Sequence, residues 1–200
     1  MSNFLAVDTS SRYLTVLAQK GDERTYIHLG ECAMKHSQLI MVEADRAMKQ
    51  INLKPEECDF FAAVTGPGSF TGIRIGIATA KGFALGADKP LLPITSFELI
   101  AYNVSNENFC VVIDAAHAHY YVCGFYGGEV TLPPSYMSES EVGALNLPLY
   151  GFEDLPFENY KKLDAGKCLE SAVKKNTRKP SGRMHALYVR KSQAEEGRKC

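Results

Sequence analysis

Residues 65–76, Thr-Gly-Pro-Gly-Ser-Phe-Thr-Gly-Ile-Arg-Ile-Gly, are the part of this chain best suited to chemistry. Gly66 and Gly68 permit backbone angles and close approaches that a Cβ forbids, and Ser69 is placed to cap the first free N–H groups of a helix. A helix start of this kind is a potential anion site. Spacing excludes two stronger motifs. No Lys-Ser or Lys-Thr follows the glycines, as a Walker loop requires, and the Gly-x-Ser-x-Gly order of an esterase elbow is missing. Ser69 as a nucleophile needs a base, and the sequence names none, so the residue reads as a cap. His117 and His119 alternate on a strand and therefore share one face, a geometry some metal sites use. They sit at a hairpin turn, with no acidic residue or thiol at ligand spacing beside them, and read as surface or partly buried histidines. His36 reads as a helix-start residue whose neighbour Ser37 supplies the cap. The six cysteines are scattered without a Cys-x-x-Cys pair, the pattern of small buried hydrophobes and not of ligands or bridges.

The elements that must position these residues follow from the apolar pattern. Asn3–Asp8, Tyr13–Ala18 and Arg24–Leu29 read as three strands, the last two joined by a Lys20-Gly21-Asp22 turn, in an antiparallel meander. Ser37 to about Ile51 is a helix with Ile40, Ala44, Ala47, Met48 and Ile51 on one face. Phe60–Val64 is an apolar strand leading into the glycine-bearing helix, Phe70 to Gly86. Leu91–Ile94 is a further strand and Phe97–Asn103 a helix. The order β-β-β-α-β-α-β-α indicates α/β layers on a mixed sheet. A second unit begins near Asn106, with strands Phe109–Asp114 and Tyr120–Tyr126, a Gly127-Gly128 turn and a break at Pro133-Pro134. A capping box of Ser138 and Glu141 then opens a short helix. The expected division is 1–105 and 106–200. Beyond 150 the pattern is weak, and no internal repeat is visible.

Composition bounds the rest. Two hundred residues, 46% hydrophobic and 22% charged, can bury a core in one domain or two small lobes. No apolar run reaches membrane-spanning length and no secretion signal opens the chain, so the expectation is a cytoplasmic protein with no membrane association. The net charge of −1 predicts no nucleic-acid affinity by itself, yet residues 171–200 hold nine Lys or Arg against Glu195 and Glu196. That tail is either a solvated end or an electrostatic contact with nucleic-acid phosphates.

The glycine run, followed by Ala78-Thr79-Ala80-Lys81-Gly82, resembles the signature of the TsaB (YeaZ) family, bacterial partners of TsaD in making threonylcarbamoyladenosine on tRNA. The resemblance continues through Phe4-Leu5-Ala6-Val7-Asp8-Thr9-Ser10, His36-Ser37, Pro90-Leu91-Leu92-Pro93-Ile94-Thr95-Ser96, Ile113-Asp114-Ala115 and Tyr188-Val189-Arg190. It is dense to about residue 126 and thin after that. It implies a ribonuclease-H-like fold of the actin, sugar kinase and Hsp70 superfamily, with two lobes. In that superfamily Asp8-Thr9-Ser10 would be the first phosphate loop. The second should carry a glycine where this chain reads Asp114-Ala115-Ala116-His117, and no glycine-rich adenosine segment follows. The resemblance thus implies no tightly bound cofactor, with ATP or ADP present only in a complex.

TsaD places a His-x-x-x-His pair after the strand that here ends at Ile94. Ser96 and Ile100 stand in those places, and isoleucine cannot coordinate a metal. The resemblance therefore implies a non-catalytic partner of TsaD in modifying the tRNA adenosine beside the anticodon, with no metal, and the ATPase TsaE also in the complex. The alternatives are a glycoprotease-like metallopeptidase or an ATP-dependent kinase of the superfamily. The two long helices either pack only on the sheet or also present a partner face. The family uses this pair against TsaD and for self-association when alone, which nominates Leu39, Ile40, Ala44, Ala47, Gly72, Ile73, Gly76, Ile77 and Ala80 as interface. Lys174, Lys175, Arg178, Lys179 and Arg183 are nominated for tRNA phosphates.

Overall fold

The computed structural model describes residues 2–32, 34–176 and 178–189. The opening meander forms as the apolar runs and the turn between them predict: β1 (Phe4–Asp8) pairs antiparallel with β2 (Leu14–Lys20), and β2 with β3 (Glu23–Leu29). The first long helix, α1 (His36–Gln50), leads to β4 (Phe60–Val64), which lies parallel to β1. The second, α2 (Phe70–Ala87), leads to β5 (Leu91–Ile94), parallel to β4. The sheet order is β3-β2-β1-β4-β5, and α3 (Ser96–Ala101) follows with a Thr95–Glu98 capping box. This is the ribonuclease-H-like arrangement. Leu5, Val7, Leu14, Val16 and Ile27 turn to one sheet face, where they meet Ile40, Ala44 and Ala47 of α1 and Ile73, Ile77 and Ala80 of α2 in one core.

The remaining strands build a second sheet. β6 (Asn108–Asp114), β7 (His119–Tyr126) and β8 (Glu129–Ser138) form a meander, followed by α4 (Glu139–Gly143) and the short strands β9 (Leu149–Gly151) and β10 (Tyr160–Lys162). The order is β10-β9-β6-β7-β8, with β6 antiparallel to β7 and parallel to β9. This is the topology of the first sheet repeated, with its fourth and fifth strands cut to three residues each. The sequence shows no repeat because topology needs only alternating apolar positions and turns, which many residue combinations satisfy. The Ser138–Glu141 capping box forms at α4.

Three expectations are corrected. Pro133-Pro134 does not end the strand: β8 continues past it, and the prolines sit at a register shift of the β7–β8 ladder, between the Val122–Ser135 and Gly124–Leu132 pairs, on an edge strand that can carry residues without an N–H. Ser37 does not cap α1; the N-cap is Lys35, with no side-chain cap bond. One boundary between 105 and 106 is not enough. The first unit comprises 1–103 and 164–186, so the chain leaves it and returns. The returning stretch supplies α5 (Cys168–Lys175), which packs on α3, β1 and β2. Beyond α5, Ser181 bridges to Leu91 with N–H···O distances of 2.8 and 2.6 Å, and Met184 enters the first core. Among the described residues no helix is long and apolar enough to cross a membrane.

Candidate functional site

The glycine run and the β1–β2 loop meet as one structure. Ser69 caps α2 by accepting from Gly72 N–H at 3.2 Å, as its place before the helix predicts. Asp8, Thr9 and Ser10 are all buried, with Thr9 fully so. The Thr9 hydroxyl donates to the Gly72 carbonyl at 2.7 Å, and Ser69 N–H donates to the Ser10 carbonyl at 2.7 Å. A Cβ on Gly68 would overlap the Ser10 carbonyl, one on Gly72 the Thr9 carbonyl, and one on Gly76 would lie 2.6 Å from Thr9 Oγ1. The glycines at 68, 72 and 76 therefore exist so that α2 can lie directly on this loop. Gly82 and Gly86 have open space where a Cβ would go.

Asp8 closes the loop from below. Its Oδ1 accepts Ser10 N–H at 2.8 Å. Burial pushes its carboxyl above the ordinary value of 3.8, opposed by hydrogen bonds from Ser10 and Tyr13 and by the nearby charge of His36. His36 is itself buried, with Nε2 donating to the Tyr13 carbonyl at 2.8 Å. His36 starts the helix, as its place in the sequence predicts, and it also reaches the β1–β2 loop, a contact that no local pattern announces. The second sheet repeats the Asp turn: Asp114 Oδ1 accepts Ala116 N–H, also at 2.8 Å. There the tip carries positive φ at Ala116, His117 and Ala118, 62°, 55° and 54°. Residues with side chains, not glycines, hold these three left-handed positions.

These residues do not fit a nucleotide phosphate. The backbone surface that glycine frees at 68 and 72 is covered by the carbonyls of Ser10 and Thr9, and carbonyl oxygens repel an anion. The metal question is likewise one of donors. Ser96 and Ile100 are both buried on α3, and among the described residues no three His, Cys, Asp or Glu converge. His117 lies in the turn before β7 and not on the strand, so the two do not alternate along one strand face. His119 Nδ1 donates to the His117 carbonyl at 2.8 Å, and the His119 ring stacks on Tyr136 at 4.7 Å. Burial pushes the Cys58 and Cys168 thiols up to about 12, far from a nucleophile's range. Cys200 lies outside the described residues.

The nominated partner face needs correction. Ile40, Ala44, Ala47, Gly72, Ile73, Gly76, Ile77 and Ala80 are buried against the sheet or the loop, and Leu39 is half-buried beside them. No partner can reach the eight. The outward side of α2 is a different stripe, Thr71, Arg74, Ala78, Gly82 and Leu85, and that of α1 holds Met41, Val42 and Asp45. Leu85 is 87% exposed and Val42 60%. Ten residues at 100° each set Gly82 about 80° around the helix from Gly72, so the two glycines lie on different sides of α2.

Of the basic candidates, Lys174 is engaged by Glu170, and Lys175 donates to the Tyr102 carbonyl at 2.6 Å. Arg178 pairs with Glu98 at 2.7 Å and donates to the Pro93 carbonyl at 2.6 Å. Lys175 and Arg178 fasten the returning stretch to residues 93–102, while the Lys174–Glu170 pair lies within α5 itself. Lys179 and Arg183 stand exposed. Arg190, Lys191, Arg198 and Lys199 lie outside the described residues.

Residues 27–133 match the family described as TsaD, tRNA N6-adenosine threonylcarbamoyltransferase. The chain is 35% identical over 116 residues to the Haemophilus influenzae tRNA threonylcarbamoyladenosine biosynthesis protein TsaB, covering 56% of this chain and 48% of that protein. Against Escherichia coli TsaB the identity is 31% over 112 residues, with the same two coverages. The chain thus spans about half the length of the curated relatives it matches. Among solved structures, a Pseudomonas aeruginosa protein described as uncharacterized, with similarity to peptidase YEAZ, superposes with a TM-score of 0.76 at 19% identity. That match covers 95% of this chain and all of the other, and it speaks for the fold.

Proposed function

The chain belongs to the TsaD family, on its TsaB (YeaZ) branch, and from that premise we propose that it is a non-catalytic partner of TsaD in threonylcarbamoylation of the tRNA adenosine next to the anticodon. The observation that carries the reading is the division of labour within α2. One side is committed to its own fold, and the other exposes small residues, Ala78 and Gly82, with Leu85 at the end of the stripe. A stripe of small residues bounded by an exposed leucine admits a second helix at close range. The outward Met41 and Val42 of α1 extend that face. Alone, the same surface serves a homodimer. The ATPase TsaE joins the TsaB–TsaD pair in this reading, any ATP or ADP is held outside the Asp8 loop, and the complex works in the cytoplasm with tRNA as its substrate.

The peptidase and kinase readings are disfavoured by the donor geometry at Ser96 and Ile100 and by the filled phosphate loop. The test is to mix the purified chain with TsaD and measure mass by light scattering after size exclusion. The wild type should form a heterodimer, and Ala78→Arg or Leu85→Arg should abolish it while circular dichroism stays unchanged. Two folded variants that still assemble like wild type would refute this face.

A further inference from the structure

The loop between β1 and β2 sends hydrogen bonds to both long helices. Toward α2 run the Thr9 hydroxyl to the Gly72 carbonyl and Ser69 N–H to the Ser10 carbonyl, each 2.7 Å. Toward α1 and the segment just before it run Cys32 N–H to the Arg12 carbonyl at 2.6 Å and His36 Nε2–H to the Tyr13 carbonyl at 2.8 Å. A carbonyl can only accept, which fixes the His36 proton on Nε2. Two of the four are buried at both ends, Thr9–Gly72 and His36–Tyr13; in the other two Ser10 and Cys32 are buried while their partners Ser69 and Arg12 are exposed. Apolar contact between α1, α2 and the sheet supplies cohesion but is not directional, and such surfaces can slide. Buried hydrogen bonds fix rotation and translation, because breaking one strands a polar group away from water. Gly76 leaves room for Thr9 Oγ1 in the groove of α2, so the threonine acts as a peg that also locks the helix along its axis.

We propose that residues 8–13 form a clamp that holds α1 and α2 in register, so that Thr9 and His36 set the partner affinity of the outward face without touching the partner. The proposal rests on the helix pair being that face. Its physical basis is preorganisation: a helix pair that must be ordered during association binds more weakly than one already held in place.

Thr9→Val keeps the shape and removes the hydroxyl, whereas Thr9→Ser keeps the hydroxyl. On the α1 side, His36→Leu removes the donor and His36→Gln retains one near Nε2. Affinity for TsaD is measured well below the unfolding midpoint of each variant, together with amide hydrogen exchange of residues 70–76 in the unbound chain. Thr9→Val and His36→Leu should weaken binding by about tenfold, the loss of one buried hydrogen bond. The Thr9→Val chain should also exchange faster at the start of α2, and Thr9→Ser and His36→Gln should restore most of the affinity. A merely structural role lowers the midpoint and leaves affinity at low temperature unchanged, and that result overturns the clamp. Ala78→Arg separates the two readings. If it abolishes binding while Thr9→Val and His36→Leu bind like wild type, only the clamp falls. If it also binds like wild type, the face itself falls, and the clamp with it.

Discussion

Gly72→Ala and Gly82→Ala place the same methyl on the same helix, and the structure gives them opposite signs. Alanine in place of glycine within a helix stabilises by about 1 kcal/mol, because glycine loses more backbone freedom on folding. At Gly82 the methyl meets nothing within 4 Å, so that gain stands alone. At Gly72 it would overlap the Thr9 carbonyl oxygen and lie 3.1 Å from Ser69 Oγ. The obstacle is backbone and cannot rotate away, so α2 must lift from the loop. Overpacking of this kind costs about 1–3 kcal/mol. Lifting also breaks the Thr9–Gly72 hydrogen bond, about 1 kcal/mol more. Net of the helix gain, Gly72→Ala should destabilise by about 1–3 kcal/mol, and Gly82→Ala should stabilise by up to about 1 kcal/mol. For a unit of this size the first lowers the calorimetric midpoint by roughly 4–12 °C and the second raises it by a few degrees. A Gly72→Ala chain as stable as wild type would refute the close approach of helix and loop, on which the clamp also depends.

Burial lifts the Asp8 carboxyl above its ordinary 3.8, so the folded chain holds that proton more tightly than the unfolded chain. The stability this group contributes is complete below 3.8 and is lost as pH rises through the higher folded value, and urea titrations across pH should show that decline in wild type and not in Asp8→Asn. Ala118→Gly relieves a left-handed residue at the β6–β7 tip and should stabilise the second unit by about 1 kcal/mol, read by calorimetry. Lys179→Glu combined with Arg183→Glu should weaken tRNA binding by the TsaB–TsaD complex and reduce its salt slope by about two, or more if the reversed charges repel. Arg178→Glu should instead lower the melting midpoint, because Arg178 is already spent on Glu98 and Pro93.

The first unit was legible as far as Ala101 because β1 and β4 are short unbroken apolar runs and both long helices carry apolar residues at helical spacing. Ser69 was legible because a cap is a local event, decided within three residues. The direction of the glycines was not, since it depends on a loop 60 residues earlier pressing against α2, and no property of Gly72 itself records that. His36 escaped for the same reason: its partner is a backbone carbonyl, which has no residue identity. The last two strands of the second sheet are three residues long, too short for a period to appear. The return of 164–186 was hidden because its attachments are short and mixed in kind: an eight-residue helix, a bridge at Ser181, a buried methionine, and contacts of Lys175 and Arg178 made largely to backbone carbonyls.

That return has a consequence for synthesis. Residues 2–103 emerge from the ribosome with the core site for Met184 unfilled and the outer edge of β5 unpaired. At about 5–20 residues per second, the stretch that completes them follows roughly 4–16 s later. The middle segment, 104–163, has all of its own strands by then and is free to fold first. The first unit is thus interrupted during synthesis, and in the interval its hydrophobic seat and open strand edge are exposed to chaperones and to neighbouring nascent chains.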